Sequence, residues 1–365
     1  MSEWSGVVFV ADESGEITEI RATGRGLAAL PGGIGEFPRI RLLDLAWNHL
    51  TDLPAAIGGL KELTELRLDG NRLRSLPAEL ADLDTLRALH LDGNRLPTFP
   101  PCPPYLESLF LYGNDVSILP PRLGAMTRLR HLSVGGNGLT SVPEVLWRLD
   151  GLESLNLAEN SLTEVPGEIG GLTRLRMLDL GHNALIDIPS EIGELNLTDY
   201  LYLSDNRFTS VPDSLGGLDR LAYLNLTDNR ITLLPESLGG LRSLRELRLY
   251  GNRLEWLPSS IGDLTELREL HLRGNRLTAL PPQIGGLGEL RQLDLRDNAL
   301  GHLPDEIGRL TRLTHLDLRQ NRLRSLPAAI ADLPALEKLD LRWNKLDGDP
   351  EEIHLLRSKG CTVLL

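Results

Sequence analysis

Fourteen asparagines recur from Asn48 to Asn344, spaced 23 residues apart with a single 20-residue interval. Such a period describes one unit copied along the chain, in which each copy buries its apolar face only against its neighbours. Around each asparagine the frame reads LxxLxLxxNxLxxLP, as at Leu63, Leu66, Leu68, Asn71, Leu73, Leu76 and Pro77, and a proline stands six residues after all fourteen. The 365 residues therefore count repeats of one continuous body rather than separate domains.

Within a unit Leu66 and Leu68 alternate with Arg67 and Asp69, the period of a strand, so both leucines face one side and the polar pair the other. Each repeat is expected to donate one short strand, and stacking in register gives a parallel sheet at about 4.8 Å per strand, an arc of about 70 Å over fifteen or sixteen repeats. The opposite side, such as Pro77 to Leu83, is longer, with proline at the first turn and apolar residues at helical spacing. Backs wider than fronts bend the stack, leaving the sheet on the hollow side. The asparagine amide, which both donates and accepts, is expected to satisfy backbone groups where no regular ladder continues.

The ends differ from the middle. Ile17, Ile20, Ala22, Leu27, Leu30 and Pro31 hold the frame of a degenerate first repeat, with Arg25 in the asparagine place. Val7 to Val10 and Glu16 to Ile20 flank the turn-rich Asp12 to Gly15, which predicts a hairpin over the first sheet edge. Near the other end Asp349 is placed to cap a helix, with Pro350 at its first position, Glu352 reaching back, Ile353 and Leu356 inward and Gly360 at its end; Thr362 to Leu365 follows as a closing strand. The organisation expected is thus a cap hairpin and degenerate repeat over 1–31, an array over 32–348, and a cap helix with closing strand over 349–365. With both edges closed, no appended catalytic domain is expected.

Two units are irregular. Between Asn94 and Asn114 three residues are missing, and the run Pro100, Pro101, Cys102, Pro103, Pro104 stands where the back helix belongs. In the unit ending at Asn206, Thr198 occupies the first leucine place and Leu197 sits one position early, which predicts a local shift of the chain. Both irregularities fit a tuning of curvature or a contact on the back.

A net charge of −13 argues against nucleic acid and anionic membrane surfaces as partners. The apolar run near the start, Val7 to Val10, is too short for a signal peptide or membrane span, and the two cysteines, Cys102 and Cys361, lie far apart in different repeats. A cytoplasmic, reducing location without membrane insertion follows as the expectation, and the Asn196–Thr198 and Asn225–Thr227 sequons read as coincidental.

The repeated frame resembles that of leucine-rich repeat proteins over nearly the whole chain. Its 23-residue form with Leu-Pro, then Ile-Gly and Leu, as at Leu257, Pro258, Ile261, Gly262 and Leu264, is similar to the intracellular Ras-group type. That resemblance implies an α/β solenoid: a right-handed, curved horseshoe with a parallel concave sheet and short helices or 3-10 turns on the convex side. It also implies a non-enzymatic scaffold or adaptor that binds a protein on the concave face, with small GTPases and phosphatases as candidate partners. The shortened proline-rich unit looks like repeats of bacterial secreted effectors, so the alternative is the substrate-recognition module of a ubiquitin-ligase effector lacking its catalytic domain.

Positions six, four and two residues before each asparagine face solvent on the sheet and can be read down the stack as a surface map. Five of the six tyrosines, Tyr112, Tyr200, Tyr202, Tyr223 and Tyr250, fall on it, with Phe110 beside the first. Tyrosine supplies large contact area at low entropy cost, which makes these six a candidate protein-binding set, although tyrosine is also a good strand residue. Further along, Arg273, Arg296, Arg319 and Arg342 form a column beside Asp294, Asp317 and Asp340. That column is either a self-neutralising lattice or a docking strip for an acidic protein segment. Small residues between them, Ser133, Gly135, Asn156, Ala158, Gly181 and Ser204, predict a trough, and Trp47 and Trp343 stand near the ends as covers or anchors. No cofactor, phosphate loop or catalytic set is expected: His90, His131, His182, His271 and His315 lie in non-adjacent repeats without a convergent carboxylate set, and Cys361 falls in the closing strand.

Overall fold

The computed structural model describes residues 7–30, 32–348 and 350–365. The chain forms two compact units, Met1–Leu162 and Thr163–Leu365. In the first, β1 (Val8–Ala11) and β2 (Ile17–Arg21) form an antiparallel hairpin. Asp12 organises its turn, its carboxylate accepting the Ser14 and Glu16 amides at 2.9 and 3.1 Å. From β2 onward the strands are parallel, each paired with the next: β3 (Leu42–Asp44), β4 (Glu65–Arg67), β5 (Ala88–His90), β6 (Ser108–Phe110), β7 (His131–Ser133) and β8 (Ser154–Asn156).

The second unit continues the same pattern with β9 (Met177–Asp179), β10 (Tyr200–Tyr202), β11 (Tyr223–Asn225), β12 (Glu246–Arg248), β13 (Glu269–His271), β14 (Gln292–Asp294), β15 (His315–Asp317) and β16 (Lys338–Asp340). These are parallel and in register, for example Leu224↔Leu247 and Leu247↔Leu270. After β16 come helix α1 (Glu351–Ser358) and β17 (Thr362–Leu364), which pairs parallel with β16. Ile353 and Leu356 of α1 are buried and Gly360 takes a left-handed φ of 92°, as expected. The cap itself differs. Pro350 is the N-cap, and among the described residues no side chain caps the helix, a proline at that place having no N–H for Glu352 to accept; Asp349 and Pro31 lie outside the described residues.

Each strand is short for a physical reason. In a typical strand such as β12 the central leucine is buried and the flanking residues are not, and the chain must then bend so that the second leucine, as Leu249, also enters the core. The bend is made by the residue before each asparagine, which has a positive φ in all fourteen repeats; six are glycine and eight are not, Trp47 and Trp343 among them. The asparagine then satisfies the backbone the bend leaves open. Asn252 donates to the Leu226 and Leu249 carbonyls at 2.9 and 3.0 Å and accepts the Ile231 amide at 3.0 Å, so it ties its own repeat to the preceding one. Asn48 does the same for the degenerate repeat, accepting the Arg25 and Leu27 amides.

The back of a typical repeat is a five-residue 3-10 turn such as Ser259–Asp263, entered through Pro258 at φ −64° and burying Ile261. Proline, held in an extended conformation, is the residue before the turn rather than its first residue. Successive turns approach to backbone contact: a Cβ on Gly216 would lie 2.0 Å from the Ser237 carbonyl oxygen. Between β5 and β6 the described residues form no 3-10 turn, and Arg122 braces the proline run by donating to the Phe99 and Pro100 carbonyls at 3.0 and 3.2 Å. The irregular unit before Asn206 is absorbed early. Leu195 is extended (ψ 152°), as among the other turn ends only Leu333 is, Leu197 enters the core, and β10 is already back in register with β9 and β11.

Candidate functional site

Parallel pairing places Tyr200 beside Tyr223, and Tyr202, on the same face two residues on, completes a cluster. The Tyr200 and Tyr202 rings meet edge to face at 4.9 Å, and Tyr202 lies 5.0 Å from Tyr223. All three are half-buried, and the rings brace one another. Burial, with Tyr202 adding to it, raises the Tyr223 phenol above its ordinary range, which keeps it a neutral donor. Arg248 lies over the Tyr223 ring at 5.4 Å and is itself held by Glu246 at 2.5 Å. Tyr250 stands edge-on to His271 at 6.4 Å. These contacts make one aromatic and cationic surface across β10 to β13.

Phe110 and Tyr112 belong to the first unit and make a separate cluster there. Phe110 stacks on His90 at 4.7 Å. The ring of Tyr112 lies over Gly135, where a Cβ would meet it at 2.8 Å. This corrects the expected trough in that unit: the space left by Gly135 is filled by Tyr112, and Ser133 and Ala158 are buried. Beside it Asp69 and Asp92 bridge repeats, accepting the Asp92 and Tyr112 amides at 3.0 and 2.7 Å. Burial, reinforced by the Asp69 charge, pushes the Asp92 carboxyl up to about 6.

The arginine column divides in two. Arg319 binds Asp317 through Nε at 2.9 Å and reaches Asp340 at 3.3 Å, and Arg342 binds Asp340 at 2.7 Å while lying over the Trp343 ring. Burial alone would raise the Asp340 carboxyl, but the Arg342 hydrogen bonds and the nearby Arg319 charge outweigh it and hold it below the usual range. This half is self-neutralising. Arg273 and Arg296 have no carboxylate within ion-pair distance among the described residues, which leaves two planar forks in adjacent repeats.

Aspartates and asparagines four places before the repeat asparagine, counted in the sequence as open surface, have structural work. Asp44, Asn156, Asp179, Asn225, Asp294, Asp317 and Asp340 each accept the amide two residues on, at 2.9–3.3 Å. Trp47, 68% exposed, lies on Gly70, where a Cβ would come within 2.3 Å of its ring.

One constellation contradicts the expectation that no carboxylates converge on a histidine. Glu246, Glu269 and His271 bring their ligand atoms within 4.8 Å of one another. Taking histidines alone down the stack misses it, because the partners come from two neighbouring repeats at the position six before the asparagine. The cysteine thiols are poor nucleophiles: burial pushes Cys102 up to about 12 and raises Cys361 as well. No helix among the described residues is long and apolar enough to cross a membrane.

Comparison with known proteins agrees with this geometry. The family described as "Leucine-rich repeat region" matches residues 166–253 and 257–357, and "Leucine rich repeat" matches 31–96 and 127–185. A leucine-rich repeat protein of Leptospira interrogans is 34% identical over 94% of this chain and 95% of its own, with a TM-score of 0.86. The plant peptide hormone receptor RGFR1, solved in complex with RGF2, is 26% identical over 95% of this chain and 74% of its own, with a TM-score of 0.56. An internalin of Listeria monocytogenes shares the fold at 20% identity and a TM-score of 0.67, over 95% of this chain and 86% of its own. No curated protein matches the chain by sequence. With its repeating strands, asparagine ladder and 3-10 backs, and with these matches, the chain belongs to the leucine-rich repeat family.

Proposed function

We propose that the chain is a non-enzymatic protein-binding module that docks an extended, acidic partner segment on the sheet face of β10 to β14. The observation that carries this reading is the half-buried trio Tyr200, Tyr202 and Tyr223, which runs through Arg248 and Tyr250 toward Arg273 and Arg296, two arginines with no ion pair among the described residues. Braced aromatic rings lose little entropy on contact, and free guanidinium forks bind carboxylates in a fixed geometry. Phe110 and Tyr112 are a second contact within the first unit, and Arg319 and Arg342 serve the array's own electrostatics. The 23-residue intracellular Ras-group character, a cytoplasmic location and a partner of the small GTPase or phosphatase class belong to the same proposal. So does the division into caps over 1–31 and 349–365 with an array over 32–348.

Selection from a random peptide display library on the immobilised chain tests it. The expected winners are extended peptides that combine apolar and acidic residues. Tyr202→Ala/Tyr223→Ala should weaken their binding about 30-fold or more, as two central aromatic contacts at about 1 kcal/mol or more each would. Arg273→Glu/Arg296→Glu should remove the preference for acidic residues, and Arg319→Gln should change little. Equal binding by the native chain and the double tyrosine variant refutes the proposal.

A further inference from the structure

We propose that Glu246, Glu269 and His271 form a binding site for a borderline divalent ion of the Zn(II) or Co(II) type on the exposed sheet face. Glu246 and Glu269 sit opposite each other on β12 and β13, and His271 follows Glu269 on the same face. His271 Nε2 lies 3.1 Å from Glu269 Oε2 and 3.9 Å from Glu246 Oε1. Ligand atoms about 2.0–2.2 Å from one ion stand roughly 3–4 Å apart, so both His271 separations fit a coordination set, and all three ligand atoms lie within 4.8 Å of one another. One imidazole with two carboxylates suits a borderline ion better than magnesium or calcium, which prefer oxygen alone. Three protein ligands leave further coordination positions for water or an incoming carboxylate.

The chain carries its own control. In the first unit Glu65, Arg67 and His90 repeat the places of Glu246, Arg248 and His271: Arg67 holds Glu65 at 2.6 Å and His90 lies 3.5 Å from it. Ala88 stands where Glu269 stands, so that set has two ligands instead of three. The bland reading of the second unit is that Arg248 and His271 merely neutralise two opposed glutamates. The two readings differ in what Arg248 does. For the ion it is a competitor on Glu246; for simple neutralisation it is the main cation.

The site needs no docking partner, so a titration of the chelator-treated full chain tests it separately from the peptide proposal. Calorimetry with Zn(II) should give one equivalent, and Co(II) should show the visible bands of inner-sphere coordination. Affinity should fall about tenfold or more in His271→Ala and in Glu269→Gln, and rise in Arg248→Ala. Ala88→Glu should add a second equivalent. Unchanged melting of each variant shows that the array persists. Affinity equal to the native chain in both His271→Ala and Glu269→Gln, or Co(II) without inner-sphere bands, overturns the proposal.

Discussion

Replacing Asn252 with alanine tests the asparagine ladder directly. The change removes the bonds donated to the Leu226, Leu249 and Tyr250 carbonyls and leaves the Ile231 amide without its acceptor, at a side chain that is 6% exposed. The Leu226 and Leu249 carbonyls keep a second donor, from Asn229 and Asn275 at 3.1 and 2.9 Å, so the Ile231 amide is the group left unpaired, at a cost of roughly 1–3 kcal/mol. The loss is local, because a stacked array is held by nearest-neighbour contacts and opens where a contact fails. Hydrogen exchange at the Ile231 amide is therefore the sensitive readout. A loss of 3 kcal/mol corresponds to exchange about 10²-fold faster. Asn298 makes the same bonds, to Leu272, Leu295 and Leu277, at 3.0 Å each, but is only part-buried. Water can reach the groups it leaves, so Asn298→Ala should cost about half as much. A cost below about 1 kcal/mol for Asn252→Ala, with Ile231 protection intact, would show that the amide is not what joins the repeats.

Two other expectations follow from particular contacts. Gly216→Ala drives a methyl against the Ser237 carbonyl and should cost several kcal/mol in thermal or chemical unfolding, whereas Gly301→Ala, with nothing within 4 Å, should be neutral within about 0.5 kcal/mol; equal effects would refute the close approach of the backs. Asp92, with a carboxyl raised to about 6, binds its proton more tightly in the folded chain, so the stability it contributes is fully present below about pH 4 and is lost as pH rises through 6. Discounted for its partial exposure the effect is about 1–2 kcal/mol, and Asp92→Asn, which keeps the acceptor for Tyr112, should flatten this window and stabilise the chain at pH 7.5. Unfolding curves of both proteins at pH 4 and 7.5 decide it, and an unchanged pH dependence would refute the assignment.

Much of the architecture was legible in the order of residues. The 23-residue period places leucines such as Leu247 and Leu270 side by side, and the alternation around them selects strands, because both signals depend on local geometry repeated at fixed spacing. The hairpin of β1 and β2 and the closing β17 were legible for the same reason, through turn residues at known offsets. Proline fits both the N-cap and the first helical position, and Pro350 takes the N-cap of α1.

Tertiary structure alone decided how side chains from successive coils share space. It shows Arg319 and Arg342 engaged by aspartates while Arg273 and Arg296 make no ion pair among the described residues, Tyr112 lying in the gap at Gly135, and His271 meeting two glutamates. Period and alternation report which face a residue occupies. Reach, ring orientation and the competition of several charges for one partner depend on distances of 3 to 5 Å between coils, and no spacing along the chain encodes those.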